Sequence, residues 1–248
     1  MKVLCVIPAR YASTRLPGKP LKDICGLPMI CRVYERASRA KRVERVLVAT
    51  DDERIKDAVE SNGGCAMMTA KDHPTGTDRL AEVAGAFPEM DLVINVQGDE
   101  PLIDPGLIDE LAAAFDGDEA LQMATVMTEM KDEEEQRNPN NVKVVTDLQG
   151  YALYFSRSLM PYPRKAGVSP VFKHIGIYAY RRDFLLRYAK MEPTPLEKSE
   201  SLEQLRALEN GCRIKVIRTD KRFVGVDTEE DLEMINEIYR KMKEEESL

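Results

Sequence analysis

Histidine is scarce in this chain. There are two, His73 and His174, far apart, and the five cysteines (Cys5, Cys25, Cys31, Cys65 and Cys212) are odd in number, scattered and without a Cys-x-x-Cys pair. These spacings argue against a zinc site and against a disulfide framework. Long apolar runs are missing too: none approaches the roughly 18–20 residues that cross a bilayer. The N-terminus has a lone Lys2 and a short apolar run, Val3 to Ile7, too brief for a secretory signal. Nor is there an excess of positive charge. Lys and Arg number 36 against 43 Asp and Glu, a net charge of −7, so no general nucleic-acid or anionic-membrane partner is expected. Internal repeats and linker-like composition are absent. The expected address is the cytoplasm.

What the chain does have is 248 residues, 43% hydrophobic and 32% charged, enough for one large globular domain with a substantial core. Strand and helix signals alternate through the first half. Residues 2–7 read as a strand buried on both faces of a parallel sheet. Pro28 suits the first turn of a helix in which Ile30, Val33, Tyr34 and Ala37 recur at helical spacing. "RVLVAT" (45–50), "CAMM" (65–68) and "DLVINVQ" (91–97) read as further strands. Between them lie an acid-started helix closed by glycines, and a helix over 75–87 with Thr77 as its cap; another helix spans about 105–115. Such alternation predicts a parallel, doubly wound α/β sheet.

The second half has fewer helical signals. "QMATVM", "NVKVVTD", "YALYFS" and "HIGIYAY" (174–180) read as strands, with a hairpin connection at Asp147-Leu148-Gln149-Gly150. "DEEE" (132–135) reads as a solvated acidic loop or helix start. A helix over 200–211 places Leu202, Leu205 and Leu208 on one side. The strand "RIKVIRT" follows, then a last amphipathic helix capped by Thr228 with Asp231 three residues on. The simplest organisation is one domain over residues 1–248, with an antiparallel excursion over about 120–180 that is a candidate dimerisation region.

The stretch "VIPARYASTRLPGKPL" (6–21) concentrates cations in this acidic chain. Ligands of open parallel sheets sit at the carboxyl ends of the strands, and this loop leaves the first such end. Stiffened by Pro8, Pro17 and Pro20, it carries Arg10, Arg15 and Lys19. With backbone N–H groups of a turn around Ala12, Ser13 and Thr14, those cations suit a polyphosphate. The loop has neither the G-x-G-x-x-G nor the G-x-x-x-x-G-K-[ST] spacing, which disfavours a dinucleotide dehydrogenase or a P-loop NTPase. A polyphosphate site usually works with a divalent metal, and magnesium takes one or two protein carboxylates. Asp99 and Asp227 both stand at strand-to-helix joints and are the candidate ligands; a turn or cap role is the alternative for each.

Seven ordered segments, "IPARYASTRLPGKPL", "ATDDERI", "HPTGTDRLAEV", "NVQGDEPLI", "KHIGIYAY", "PLEKSESLEQLRALENG" and "GVDTEEDL", span nearly the whole chain. In this order they resemble the 3-deoxy-manno-octulosonate (Kdo) cytidylyltransferases, the CMP-Kdo synthetases. Sialic-acid activating enzymes share the fold but have a differently spelled opening loop, and sugar-1-phosphate nucleotidyltransferases begin with a more glycine-rich one. The resemblance implies a Rossmann-like, nucleotide-diphospho-sugar transferase-like fold, usually a homodimer. The implied reaction is CTP plus Kdo to CMP-Kdo plus pyrophosphate, feeding lipopolysaccharide or capsule assembly. Arg10, Arg15 and Lys19 would grip the triphosphate, and Asp99 and Asp227 would bind Mg2+. Pro8, Ala9 and Ser13 belong to the matched opening loop and are expected at the substrate. Cytosine would sit near Thr75, Gly76 and Arg79. The sugar acid would meet Gln97, His174, Tyr178, Glu203 and Gln204, although His174 by itself reads more readily as an ordinary strand histidine. A related acid such as 8-amino-Kdo, or sialic acid, is the alternative substrate. A non-catalytic nucleotide-binding homologue would be expected to lack one of the cations or acids, and all five are present.

Overall fold

A computed structural model describes residues 1–12, 16–165, 167–221 and 223–246. The chain divides into two compact units, Met1–Asp109 with Arg222–Leu248, and Glu110–Lys221.

The first unit begins with β1 (Val3–Ala9). Its residues 3–7 are essentially inaccessible, which is why the strand is a continuous apolar run rather than an alternating one. A small hairpin, β2 (Asp23–Ile24) with β3 (Leu27–Pro28), leads into α1 (Met29–Ala37). Pro28 therefore ends a strand pair and immediately precedes the helix instead of lying within its first turn. Next come β4 (Arg45–Thr50), α2 (Glu53–Ser61), β5 (Ala66–Met68), α3 (Gly76–Ala86), β6 (Leu92–Asn95) and α4 (Pro105–Ala113). The cap of α3 is Thr75, not Thr77. Thr75 Oγ1 accepts from the Asp78 N–H, and Asp78 answers through its carboxylate, forming a capping box; Thr77 is buried. The four parallel strands lie in the order β6-β1-β4-β5. Strand order runs one way from β1 to β4 to β5, then returns to β6 on the other side of β1. That reversal opens a crevice at the carboxyl ends of β1 and β6.

The second unit contains β7 (Met123–Met130), α5 (Glu133–Arg137), β8 (Lys143–Thr146), β9 (Ala152–Ser156), β10 (Val171–Arg181), α6 (Arg182–Tyr188), α7 (Pro195–Glu200), α8 (Gln204–Glu209) and β11 (Ile214–Arg218). Here β7 pairs antiparallel with β10 and parallel with β11, while β8 pairs antiparallel with both β9 and β10. The acidic run became a short helix with no buried residue. The helix expected over 200–211 is α8, which starts only at Gln204, because Ser201 turns left-handed (φ 52) and Leu202 is consumed in the corner after α7. The chain then returns to the first unit for α9 (Glu229–Glu246). The whole is an α/β protein with a mainly parallel sheet and antiparallel strands in its second half, as the sequence pattern predicts.

Candidate active site

In the first unit the crevice at the strand reversal is built by backbone contact. A Cβ on Gly98 would lie 2.8 Å from the Pro8 carbonyl oxygen. Only glycine lets the segment after β6 cross the end of β1 this closely, and Asp99 follows directly. A third segment is stitched on by the Val226 N–H, which donates to the Asp99 carbonyl at 3.0 Å. The opening loop is pinned to the same place by Leu16, only 1% exposed, which packs in one apolar cluster with Ile24, Met29, Val226 and the Leu232, Ile235 and Tyr239 face of α9. Three residues on from that anchor, Lys19 starts a single 3-10 turn.

Those constraints bring one cation and two acids together. The Lys19 ammonium donates to Asp99 Oδ2 at 2.7 Å, to Asp227 Oδ1 at 3.0 Å and to the Val226 carbonyl at 2.8 Å. Three acceptors match the three N–H bonds of an ammonium. Burial pulls the Lys19 pKa down, but the charges and hydrogen bonds of Asp99 and Asp227 outweigh it and hold the group above the ordinary lysine value. Neither carboxylate is spent on a helix start. The α9 cap is Thr228 with Asp231, whose carboxylate accepts from the Asp227 and Thr228 N–H groups. The N–H of Leu107, in the first turn of α4, donates to Asp104. A cavity of about 320 Å3 opens here, lined by Pro8, Ala9, Arg10, Lys19, Gln97, Asp99 and Asp227 among others. A larger cavity of about 420 Å3, bounded by Cys31, Tyr34 and Val59 of α1 and α2, holds none of these groups.

Among the described residues no three His, Cys, Asp or Glu side chains gather as a ready-made metal centre. Two carboxylates sharing one cation nonetheless suit magnesium, which completes its octahedron with phosphate oxygens and water. An ammonium already fills the position of positive charge between them.

Arg10 reaches sideways. Its Nη2 donates to the carbonyls of His73, at 2.7 Å, and Thr75, at 3.3 Å, tying the opening loop to the start of α3. The His73 carbonyl belongs to a turn held from below, where the His73 ring and the Ala70 N–H both meet Glu82. Gly76 has open space where a side chain would be. Arg79 is fully buried and donates to Thr69 Oγ1 and, at 3.3 Å, to Asp51. Its Nε has no partner among the described residues. Burial lowers its pKa, opposed by Asp51. Ser13 and Arg15, and with them the turn expected at 13–14, fall outside the described residues.

The second unit carries His174, Tyr178, Glu203 and Gln204. His174 and Tyr178 lie on β10 on either side of a bulge: His174 pairs with Met127 and Tyr178 with Thr125, so the two face the same way, with ring centroids 5.4 Å apart. Thr125 Oγ1 serves the bulge, lying 3.1 and 2.8 Å from the carbonyls of Ile175 and Ile177 and 3.0 Å from His174 Nε2. One hydroxyl hydrogen goes to a carbonyl, so Nε2–H donates to Oγ1 and Nδ1 is left as an acceptor. Burial pushes the His174 pKa down to about 3, so this ring is neutral. Tyr178 is raised by burial and by the Glu203 charge. Gln204 is 5% exposed, and its Nε2 has no partner among the described residues.

A buried ion pair lies close in sequence to Glu203 and Gln204. Arg206 donates from Nε to Glu197 Oε2 at 2.8 Å and from Nη2 to Oε1 at 2.5 Å. Burial alone would raise the Glu197 pKa, but the Arg206 bonds hold it below the ordinary value. Replacing Glu197 with Gln is expected to cost about 3 kcal/mol, as breaking a buried pair does. Because the carboxyl pKa is depressed, this stabilisation is present above the ordinary glutamate value of about 4.3 and lost as pH falls through the folded value. Denaturant melts of both proteins at neutral pH and near pH 3 check it: the gap closes in acid.

The family profile described as "Cytidylyltransferase" matches residues 4–217. A protein of Geobacter sulfurreducens named 3-deoxy-manno-octulosonate cytidylyltransferase is 52% identical over 248 residues, covering 96% of this chain and 99% of its own. The chain belongs to that family. A Fusobacterium nucleatum relative of the same name is 55% identical over 235 residues, covering 95% of this chain and 96% of its own. A solved CMP:2-keto-3-deoxy-manno-octonic acid synthetase complexed with CTP superposes with a TM-score of 0.94 at 46% identity, over 98% of this chain and 100% of that one. In this chain the Lys19–Asp99–Asp227 cluster lies beside the strand reversal, at the carboxyl ends of β1 and β6. Sequence reading did not foresee that Lys19 bridges the two acids or that Arg10 binds the 73–75 carbonyls. Nothing local to either residue signals a partner 80 or 63 positions away.

Proposed function

We propose that this protein transfers CMP from CTP to 3-deoxy-manno-octulosonate and releases pyrophosphate. The observation that carries the reading is the convergence of Asp99 and Asp227 on one loop ammonium beside the strand reversal. Asp99 and Asp227 would hold Mg2+ together with phosphate oxygens. When bound, that ion would supply neutralisation of the α-phosphate and a lowered pKa for the attacking sugar hydroxyl. Lys19, with Arg15 and Arg10, would counter the charge that builds on the α-phosphorus and the departing pyrophosphate. Oxygen of the anomeric hydroxyl forms the new bond to phosphorus as the bridging oxygen to pyrophosphate leaves.

The sugar acid needs donors for its carboxylate, and the buried, unpartnered Gln204 Nε2 is one. His174 would accept from a sugar hydroxyl through Nδ1. Glu203 suits hydroxyls, since it would repel the sugar carboxylate. Tyr178 completes the set in the second unit, and Gln97 lines the cavity of the first. Pro8, Ala9 and Ser13 would line the nucleotide, with the base near Thr75, Gly76 and Arg79. No helix of the described residues is long and apolar enough to cross a membrane, in keeping with a cytoplasmic enzyme of lipopolysaccharide or capsule synthesis. The exposed Leu153, Tyr162 and Val168 of the second unit support a homodimer through that unit; a one-chain mass by light scattering would remove it.

The test is pyrophosphate release with CTP and Mg2+ against Kdo, 8-amino-Kdo, N-acetylneuraminate and glucose-1-phosphate. Release with Kdo is expected, abolished by EDTA. Turnover of glucose-1-phosphate alone would overturn the assignment.

A further inference from the structure

We propose that Tyr11 is a positioning residue for the nucleotide loop, acting as a clasp between Gly18 and Arg54. The inference rests on the cytidylyltransferase reading above and adds residues that the motifs did not single out. On one side of Tyr11, Arg54 stacks its guanidinium with Cζ 3.4 Å from the ring centroid. Arg54 is itself held: Nε and Nη2 donate to the two oxygens of Asp52 at 2.9 and 2.7 Å, and its N–H donates to Asp52, the cap of α2. Gly18 also meets this residue: it is left-handed (φ 66), and a Cβ there would stand 3.3 Å from Tyr11 Cε2, Cζ and Oη. The bare glycine backbone therefore lies close against the phenol, and the ring bridges residue 18 to α2.

Among the described residues of the loop, the clasp sits between two engaged cations. Arg10, directly before Tyr11, is tied to the 73–75 carbonyls. Lys19, directly after Gly18, is tied to the two acids. Fixing residue 11 against residue 18 fixes the separation of those cations before nucleotide arrives. Preorganisation of this kind lowers the ordering cost of binding. The guanidinium lies over the ring centre, with the Tyr11 hydroxyl a lesser influence on Arg54 than Asp52, and such stacking is available to phenylalanine as well as to tyrosine.

Three full-length variants, Tyr11→Ala, Tyr11→Phe and Arg54→Ala, test it by equilibrium CTP binding without sugar and by KM for CTP and for Kdo. Tyr11→Ala should weaken CTP binding and raise its KM about tenfold, equivalent to one cation–π contact plus lost order, with the Kdo KM within twofold. Tyr11→Phe should stay within about twofold of wild type. Arg54→Ala, at an exposed helix position that tolerates truncation, should shift CTP binding about threefold in the same direction and carries the test if Tyr11→Ala does not fold. Wild-type CTP affinity in Arg54→Ala together with either wild-type affinity or failure to fold in Tyr11→Ala overturns the proposal. So does an equal loss in Tyr11→Phe and Tyr11→Ala. A wild-type protein that binds CTP without turning over Kdo would instead strike the parent reading and leave the clasp measurable by binding.

Discussion

Asp99→Asn lowers turnover at least a hundredfold while the protein melts close to wild type. The change is nearly isosteric and removes one unit of negative charge. Its carbonyl still receives the Val226 N–H, and Gly98 still crosses β1, so the three segments remain stitched. The Asn oxygen can still accept from Lys19, leaving a loss of about 1 kcal/mol in stability for exchanging a charged hydrogen bond for a neutral one. What goes is half of the carboxylate pair that suits a divalent ion. Charge stabilisation at a transferring phosphoryl group is commonly worth about a hundred- to a thousandfold per group. Steady-state kcat at saturating Mg2+, beside a thermal melt, measures both effects. Turnover within tenfold of wild type would take Asp99 out of the reaction.

Lys19→Ala raises the KM for CTP and lowers kcat, together reducing kcat/KM about a hundredfold or more, because the same ammonium would serve the triphosphate in binding and in the transition state. It also has a signature without substrate. Lys19 bridges Asp99 and Asp227. Its removal takes away the charge that bridges these two carboxylates. They are a third or more exposed, so screening keeps the cost near 1 kcal/mol, or about 2–4 °C in melting temperature for a chain of this length. Millimolar Mg2+ should then raise the melting temperature of Lys19→Ala more than that of wild type, whose acids already share a cation. The folded Lys19 pKa lies above its unfolded value. The ion triplet is therefore fully present below about pH 10 and lost only as pH rises through the folded value. The stability gap should be flat from about pH 6 to pH 9. Unchanged CTP kinetics and no differential response to Mg2+ would reduce Lys19 to a surface charge.

Much of the fold was legible because local chemistry specified it. The apolar run 3–7 could satisfy itself only between two covered faces, "RVLVAT" matched β4 residue for residue, and Thr228 with Asp231 announced α9. The misreadings share one cause. Thr75 and Thr77 are both threonines ahead of apolar residues, and only the closing partner Asp78 distinguishes them. The run 200–211 has helical spacing throughout, yet the corner at Ser201 delays the helix to Gln204, beside the Glu197–Arg206 pair. Tertiary contact outweighed propensity there, as a buried ion pair can.

Composition and spacing determined, unaided, that this is an α/β chain with a cationic loop at the end of its first strand and acids at two later strand-to-helix joints. They could name the candidates because residue type, charge and periodicity are local properties. Only the folded chain decided that Lys19 holds Asp99 and Asp227 together, that Arg10 is bound to a turn, and that Tyr11 is gripped by Gly18 and Arg54. Those pairings join positions distant in sequence. What sets them is the side of β1 on which β6 returns, the one glycine that can pass the Pro8 carbonyl, and the burial of Leu16 against α9.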